Sequence, residues 1–183
     1  MNRTKPPMYV LILMISSVII GQKAYAQTNF SNPQKSITGY TESNGHYNTL
    51  LTAFKAAGLD MILNEDGPFT VFAPSDRAFG KLSKEMVADL MKPESKKELQ
   101  SLLTYHIVAG SLSAATILKA MCRGEGKASF TTVQGDEIVA TMMGIDIVLT
   151  DGNGNSAIIT RADANQCNGV IHEIDSVILP EKI

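Results

Sequence analysis

Three histidines, His46, His106 and His172, are the residues of this 183-residue sequence best suited to proton chemistry, because imidazole titrates near neutral pH. They stand 60 and 66 residues apart. A nucleophilic hydrolase needs such a histidine beside a serine or cysteine and an orienting acid. No G-x-S-x-G elbow presents a serine in that way. Asp76 can partner His106 if their segments pack together, but a carboxylate that orients a histidine serves folding as readily as catalysis. The expectation is no catalytic residue and no enzyme.

Metal and phosphate chemistry meet similar limits. Asp151, Asn153 and Asn155 occupy the first three ligand spacings of a calcium loop, yet Ser156 and Ala162 stand where that loop needs glycine and glutamate. The stretch is better read as a hairpin turn needing positive φ, with no metal ligand. Gly124–Ser129 (GEGKAS) lacks the spacing of a phosphate loop and precedes a strand, so no cofactor is expected. Cys122 and Cys167 are too few for a structural zinc site without nearby histidines. A bridge across their 45-residue separation would contribute up to about 4 kcal/mol on the chain-entropy model; two buried thiols are the other reading.

Tyr105 and His106 sit together in LLTYHIVAG, Leu102–Gly110. Two roles stand open for them. In one, the pair is buried and its polar atoms bond backbone or Asp76. In the other, Tyr105 with Leu102, Ile107 and Val108 forms part of a binding face, since tyrosine joins apolar area to a hydrogen-bonding tip. His172, within a strand-like run, reads as a cross-strand neighbour.

Composition sets the compartment. Arg3 and Lys5, the apolar run Met8–Ile20 and Ala24-Tyr25-Ala26 read as a secretory signal peptide over residues 1–26, too short in its apolar part to span a bilayer. Removing those 26 residues leaves 157 and, with Arg3, Lys5 and Lys23 gone, moves the formal charge from −2 to −5. A mildly acidic chain without a basic stripe is a poor nucleic-acid ligand. The expected product is secreted or periplasmic, with no membrane span after cleavage, and its length suits one domain.

Residues 27–36 are polar and aperiodic, a flexible leader; the domain is expected over residues 37–181. Leu50, Leu51, Phe54 and Ala57 recur at helical spacing after Asn48, a candidate N-cap, and Gly58 stops the run. GPFTVFAP, Gly67–Pro74, predicts a buried strand. Ser75 with Asp76, Ser83, Ser95 with Glu98, and Ser113 predict four further helix starts, the third placing His106 on a leucine face. The last third changes to period two, with strands in SFTTVQGDEIVATMM, IDIVLTDGNGNSAIITRA and CNGVIHEIDSVILP. Helices first and strands later predict an α+β domain.

GPFTVFAPSDRAF, LLTYHIVAG, TTVQG (Thr131–Gly135) and NGVIHEIDSVILP follow one another in the order and spacing of a fasciclin-like (FAS1) domain, which the sequence resembles from about Ile37 to Glu181. The resemblance implies a wedge of two β-sheets flanked by short helices. It also implies adhesion-type binding of cell-surface or matrix proteins or glycans, with Tyr105-His106 as the family's tyrosine-histidine motif. With one copy in place of the tandem repeats of large adhesive members, avidity would require oligomerisation; the expected state is a monomer or weak oligomer. The alternatives are a carrier of a small apolar ligand, which needs an enclosed pocket, and a hydrolase.

Overall fold

The apolar run read as a buried strand is β1, Phe69–Pro74, covered on both faces. The computed structural model describes residues 35–181; the predicted signal peptide and the leader as far as residue 34 lie outside the described residues. β1 pairs antiparallel with β2, Ile107–Ala109, and parallel with β7, Gly169–Ile174. The other strands are β3 (Lys127–Thr131), β4 (Glu137–Met143), β5 (Asp146–Thr150) and β6 (Ser156–Gln166), in the sheet order β2-β1-β7-β6-β5-β4-β3.

β6 belongs to two layers at once. Its first residues pair with β5 and the rest with β7, with register shifts on both sides of Arg161. Such bulges bend and twist a strand, and here they turn β2-β1-β7 across β3-β4-β5. The outer strands then meet: Val108 bridges Thr132, and the Val133 N–H donates to the Ile107 carbonyl at 2.7 Å. The two-sheet wedge is thus one seven-stranded sheet curled almost into a barrel.

The helices are α1 (Ile37–Ser43), α2 (Asn48–Ala57), α3 (Ile62–Glu65), α4 (Asp76–Phe79), α5 (Lys84–Leu90), α6 (Lys96–Tyr105) and α7 (Ala114–Arg123). Ser75, Ser83 and Ser113 cap α4, α5 and α7, each side chain accepting a backbone N–H three residues on. Gly58 ends α2 at φ +76°, a conformation that costs glycine nothing. The capping box at Ser95 is not made. A 3-10 turn, Pro93–Ser95, leads into α6, and it holds Ser95 outside the extended conformation that a capping side chain needs.

Two apolar cores follow from the period-two alternation of β1. Val71 and Ala73 join Ile171 beneath α1, α2 and α6, where Leu50, Phe54, Leu99, Leu102 and Leu103 are buried. Phe72 points the other way, into the wedge, with Tyr105, Val108, Ile117, Ile138, Leu149 and Ile174. α1, α3 and β2 were not predicted: α1 is a polar segment started by Ser36, and β2 is three residues recruited by pairing with β1.

The expected bridge between Cys122 and Cys167 is absent. Both thiols are free and exposed, Cys122 on α7, which packs on β3 and β4, and Cys167 in the β6–β7 turn, its N–H bonded to the Lys35 carbonyl. Neither is one of the two buried thiols of the other reading.

Gly169 is where β7 comes closest to β1. Its φ is +153°, and a Cβ there would overlap the Phe69 carbonyl oxygen and crowd the Phe69 backbone. Gly169→Ala is expected to destabilise the domain by about 3 kcal/mol or more, read from urea unfolding. An unchanged midpoint would show that this contact does not govern the pairing.

Candidate functional site

α6 delivers Tyr105 and His106 into the interior instead of to a surface. His106 is 1% exposed, at the junction of α6 and β2. Its Nδ1–H donates to the Leu102 carbonyl at 2.8 Å, one helical turn back, and its Nε2 accepts the Ile178 N–H at 3.3 Å from the segment after β7. Both ring nitrogens are used, and the ring is neutral. Burial pushes its pKa down from 6.5 to about 4, against the opposing pull of the Leu102 carbonyl and the more distant charge of Asp151.

Tyr105 is fully buried. Its hydroxyl donates to the Glu137 carbonyl at 2.9 Å and accepts the Gly152 N–H at 3.3 Å, tying α6 to β4 and to the β5–β6 turn. Leu102, Ile107 and Val108 are buried as well. The candidate binding face is therefore corrected to interior packing: the leucine face of α6 and the side chains of Ile107 and Val108 are covered, and the pair fastens the scaffold.

Asp76 does not support His106. One carboxylate oxygen accepts the Thr49 N–H at 2.7 Å and the other accepts the Asn48 N–H at 3.2 Å and its side-chain amide at 3.0 Å. Burial raises its pKa, but these donors outweigh that and hold it below the usual carboxylate range. The N-cap of α2 thus comes from a residue 28 positions away and not from Asn48 itself, which is the first helical residue, preceded by Tyr47. Asp76 still gives structural support, at a different address.

His172 repeats the logic of His106. It is fully buried beside its register partner Phe72, with ring centroids 5.7 Å apart. Its Nδ1 accepts the Asp163 N–H at 3.2 Å from the β6 bulge, and its Nε2–H donates to the Leu112 carbonyl at 2.7 Å. Burial pulls its pKa down too. Neither buried histidine offers a free nitrogen to a substrate, so acid-base chemistry at these residues is closed.

The Asp151 turn is held by protein donors. The carboxylate accepts the N–H groups of Asn153, Asn155 and Leu179 and the Asn155 amide. Gly154 supplies φ +83°. That is the hairpin chemistry expected of DGNGN, and it leaves Asp151 engaged where a calcium loop would need its oxygens.

Two surface features escaped the sequence reading. The β4–β5 turn exposes Met143 (59%) and Ile145 (93%) with Met142 beside them, in a place where turns usually carry polar residues. MMGID carries that signal in the sequence, where it also fits the end of one alternating run and the start of the next. The other is a polar cleft lined by His46, Ser75, Asp76, Arg77, Arg161 and Glu173. Its residues come from four separated segments, and no spacing announces them. An apolar groove of about 390 Å³ over Phe79, Leu82, Val87 and Met91 is a shallow trough, unlike the enclosed pocket of a carrier.

A family model described as the fasciclin domain matches residues 45–180, from the loop before α2 to the end of the segment that carries Ile178. The chain belongs to the fasciclin domain family. It is 40% identical to protein sll1483 of Synechocystis over 141 residues, 75% of this chain and 69% of that one. It is 30% identical to immunogenic protein MPB70 of Mycobacterium bovis over 177 residues, 87% and 80% of the two chains. Its fold is similar, with a TM-score of 0.72 at 21% identity, to a FAS1 domain pair from the insect cell adhesion molecule fasciclin I. That match covers 81% of this chain and 52% of the other, so the chain spans about half the length of the solved pair. The fasciclin fold accounts for the α+β architecture and the near-barrel sheet. No helix among the described residues is long and apolar enough to cross a membrane.

The buried histidines are expected to make this fasciclin domain acid-sensitive. Between pH 6.5 and 4 the unfolded chain binds a proton at His106 that the folded chain refuses, so stability is full above that window and falls as pH drops through it. For His106 alone the loss approaches about 3 kcal/mol, and His172 acts in the same direction. Urea unfolding from pH 7.5 to 4 measures it. His106→Ala is expected to cost about 3 kcal/mol at neutral pH, by orphaning the Ile178 N–H and the Leu102 carbonyl, and to flatten the acid dependence. Stability unchanged by that substitution would remove His106 from the scaffold.

Proposed function

We propose that this fasciclin domain is a secreted or periplasmic binding module that engages a protein at a cell surface or in a matrix through the tip of the β4–β5 hairpin. The carrying observation is the exposure of Met143 and Ile145 there, next to Met142. Large apolar side chains exposed together at the end of a hairpin gain from being covered by a partner. Methionine suits this use because its unbranched chain adapts to the surface that it meets. The reading replaces Tyr105 and its neighbours, which are interior, as the contact residues.

Support from kinship is coarser. The similar solved pair comes from a cell adhesion molecule, and an adhesion-type role is carried to this chain as part of the proposal. So are a signal peptide over residues 1–26, a leader over 27–36, a binding domain over 37–181, a non-enzymatic role and a monomeric or weakly oligomeric state. The two buried histidines, whose ring nitrogens are both spent on backbone groups, support binding over hydrolysis.

The test is adhesion of cells or of extracellular matrix to a surface coated with the protein. The double substitution Met143→Ser and Ile145→Ser is expected to weaken attachment about tenfold or more without lowering the melting temperature, since hot-spot side chains lie at the contact and not in the core. Tyr105→Phe should do the reverse, costing about 1 kcal/mol of stability and leaving attachment intact. Attachment that survives the double substitution would sink the tip as the contact.

A further inference from the structure

The polar cleft, about 360 Å³ in volume, is built from the α1–α2 loop (Gly45 and His46), the start of α4 (Ser75 to Arg77), Arg161 at the β6 bulge and Glu173 in β7. Arg161 and Glu173 are register partners on adjacent antiparallel strands, where opposite charges ordinarily pair. Here they do not. Among the described residues neither Arg161 nor Arg77 forms an ion pair.

The carboxylates of the cleft are occupied elsewhere. Glu173 accepts the Tyr47 hydroxyl on one oxygen and the Thr160 hydroxyl on the other, both at 3.0 Å. Asp76 is spent on the first turn of α2. Two guanidinium groups therefore line one cavity with their donors uncommitted to the protein's own acids, and such forks match an oxyanion with two parallel hydrogen bonds. The walls are already set: the Asp76 N–H donates to the His46 carbonyl at 2.8 Å, and Ser75 bonds back to Ile174.

The lining also indicates what carries the oxyanion. Every side chain in it is polar, and Gly45 contributes only backbone. A peptide would find no apolar wall for its side chains. A sugar acid finds cationic donors for its charged group and, on the Ser75 hydroxyl and the His46 imidazole, hydrogen-bonding partners for its hydroxyls. We infer that this cleft binds a carboxylate- or sulfate-bearing saccharide, with Arg77 and Arg161 holding the acidic group. The site rests on the reading of this domain as a binding module, and gives it a glycan contact separate from the apolar tip.

The experiment is a two-dimensional NMR titration of the 15N-labelled protein with four probes: a hexuronate tetrasaccharide, a sulfated tetrasaccharide, a neutral tetrasaccharide and a tetraglutamate peptide. Saturable shifts are expected at Gly45, His46, Arg77 and Arg161 with one or both acidic saccharides, and whichever binds assigns carboxylate or sulfate. Arg77→Gln and Arg161→Gln are each expected to weaken that binding about tenfold. Both side chains are exposed, so the melting temperature should hold. Absence of shifts with both acidic saccharides overturns the inference, as does equal binding of the neutral saccharide or of the peptide. The Met143→Ser, Ile145→Ser variant separates the two readings. Acidic-saccharide shifts that persist when attachment is lost support both sites, and attachment through the tip without such shifts overturns the cleft alone.

Discussion

The parallel pairing of β1 with β7 is the constraint on which the other parts of this domain depend. A parallel pair needs cover on both faces, and the two apolar cores provide it, one beneath the helices and one within the wedge. The pairing also sets addresses. Asp76 follows the end of β1 and so comes to rest at the start of α2, while Glu173 and His172 alternate on β7, one toward Tyr47 and the other into the wedge. The close approach at Gly169 is the geometric condition for all of this.

Around that pair, the buried polar groups act as fasteners between segments that apolar packing alone would leave free to slide. His106 joins α6 to the segment after β7, His172 joins the β6 bulge to the loop before α7, and Tyr105 joins α6 to β4 and the β5–β6 turn. Among the described residues no buried side-chain nitrogen or oxygen lacks a partner. Directional bonds of this kind discriminate between registers that would bury similar apolar area, and their cost is the unfavourable protonation of two imidazoles in acid.

Much of the fold could be read in advance because its signals are local. Helix periodicity marked α2 and α6, serine caps marked α4, α5 and α7, and glycine turns between alternating runs marked β3 to β7. What could not be read depends on distant partners. β2 is a strand because β1 lies beside it, Asp76 caps a helix that it does not belong to, and Cys122 and Cys167 end on separate elements. Tyr105 shows the limit most clearly: a tyrosine after a leucine run fits an anchor on a surface as well as a bolt through a core. Only the positions of Glu137 and Gly152 decide between them.

The β1–β7 pairing joins Phe69 to Gly169, and β2 cannot complete its side of the sheet without β1 in place. Contacts of such long sequence separation make folding slow, because loop-closure entropy is lost before the contact energy is gained. As the chain is synthesised, the apolar undersides of α2 and α6 therefore wait for the final strand. Until NGVIHEI has emerged, β1 lacks its parallel partner and nothing joins it to β6, so the core beneath the helices cannot be completed before the last strand is made.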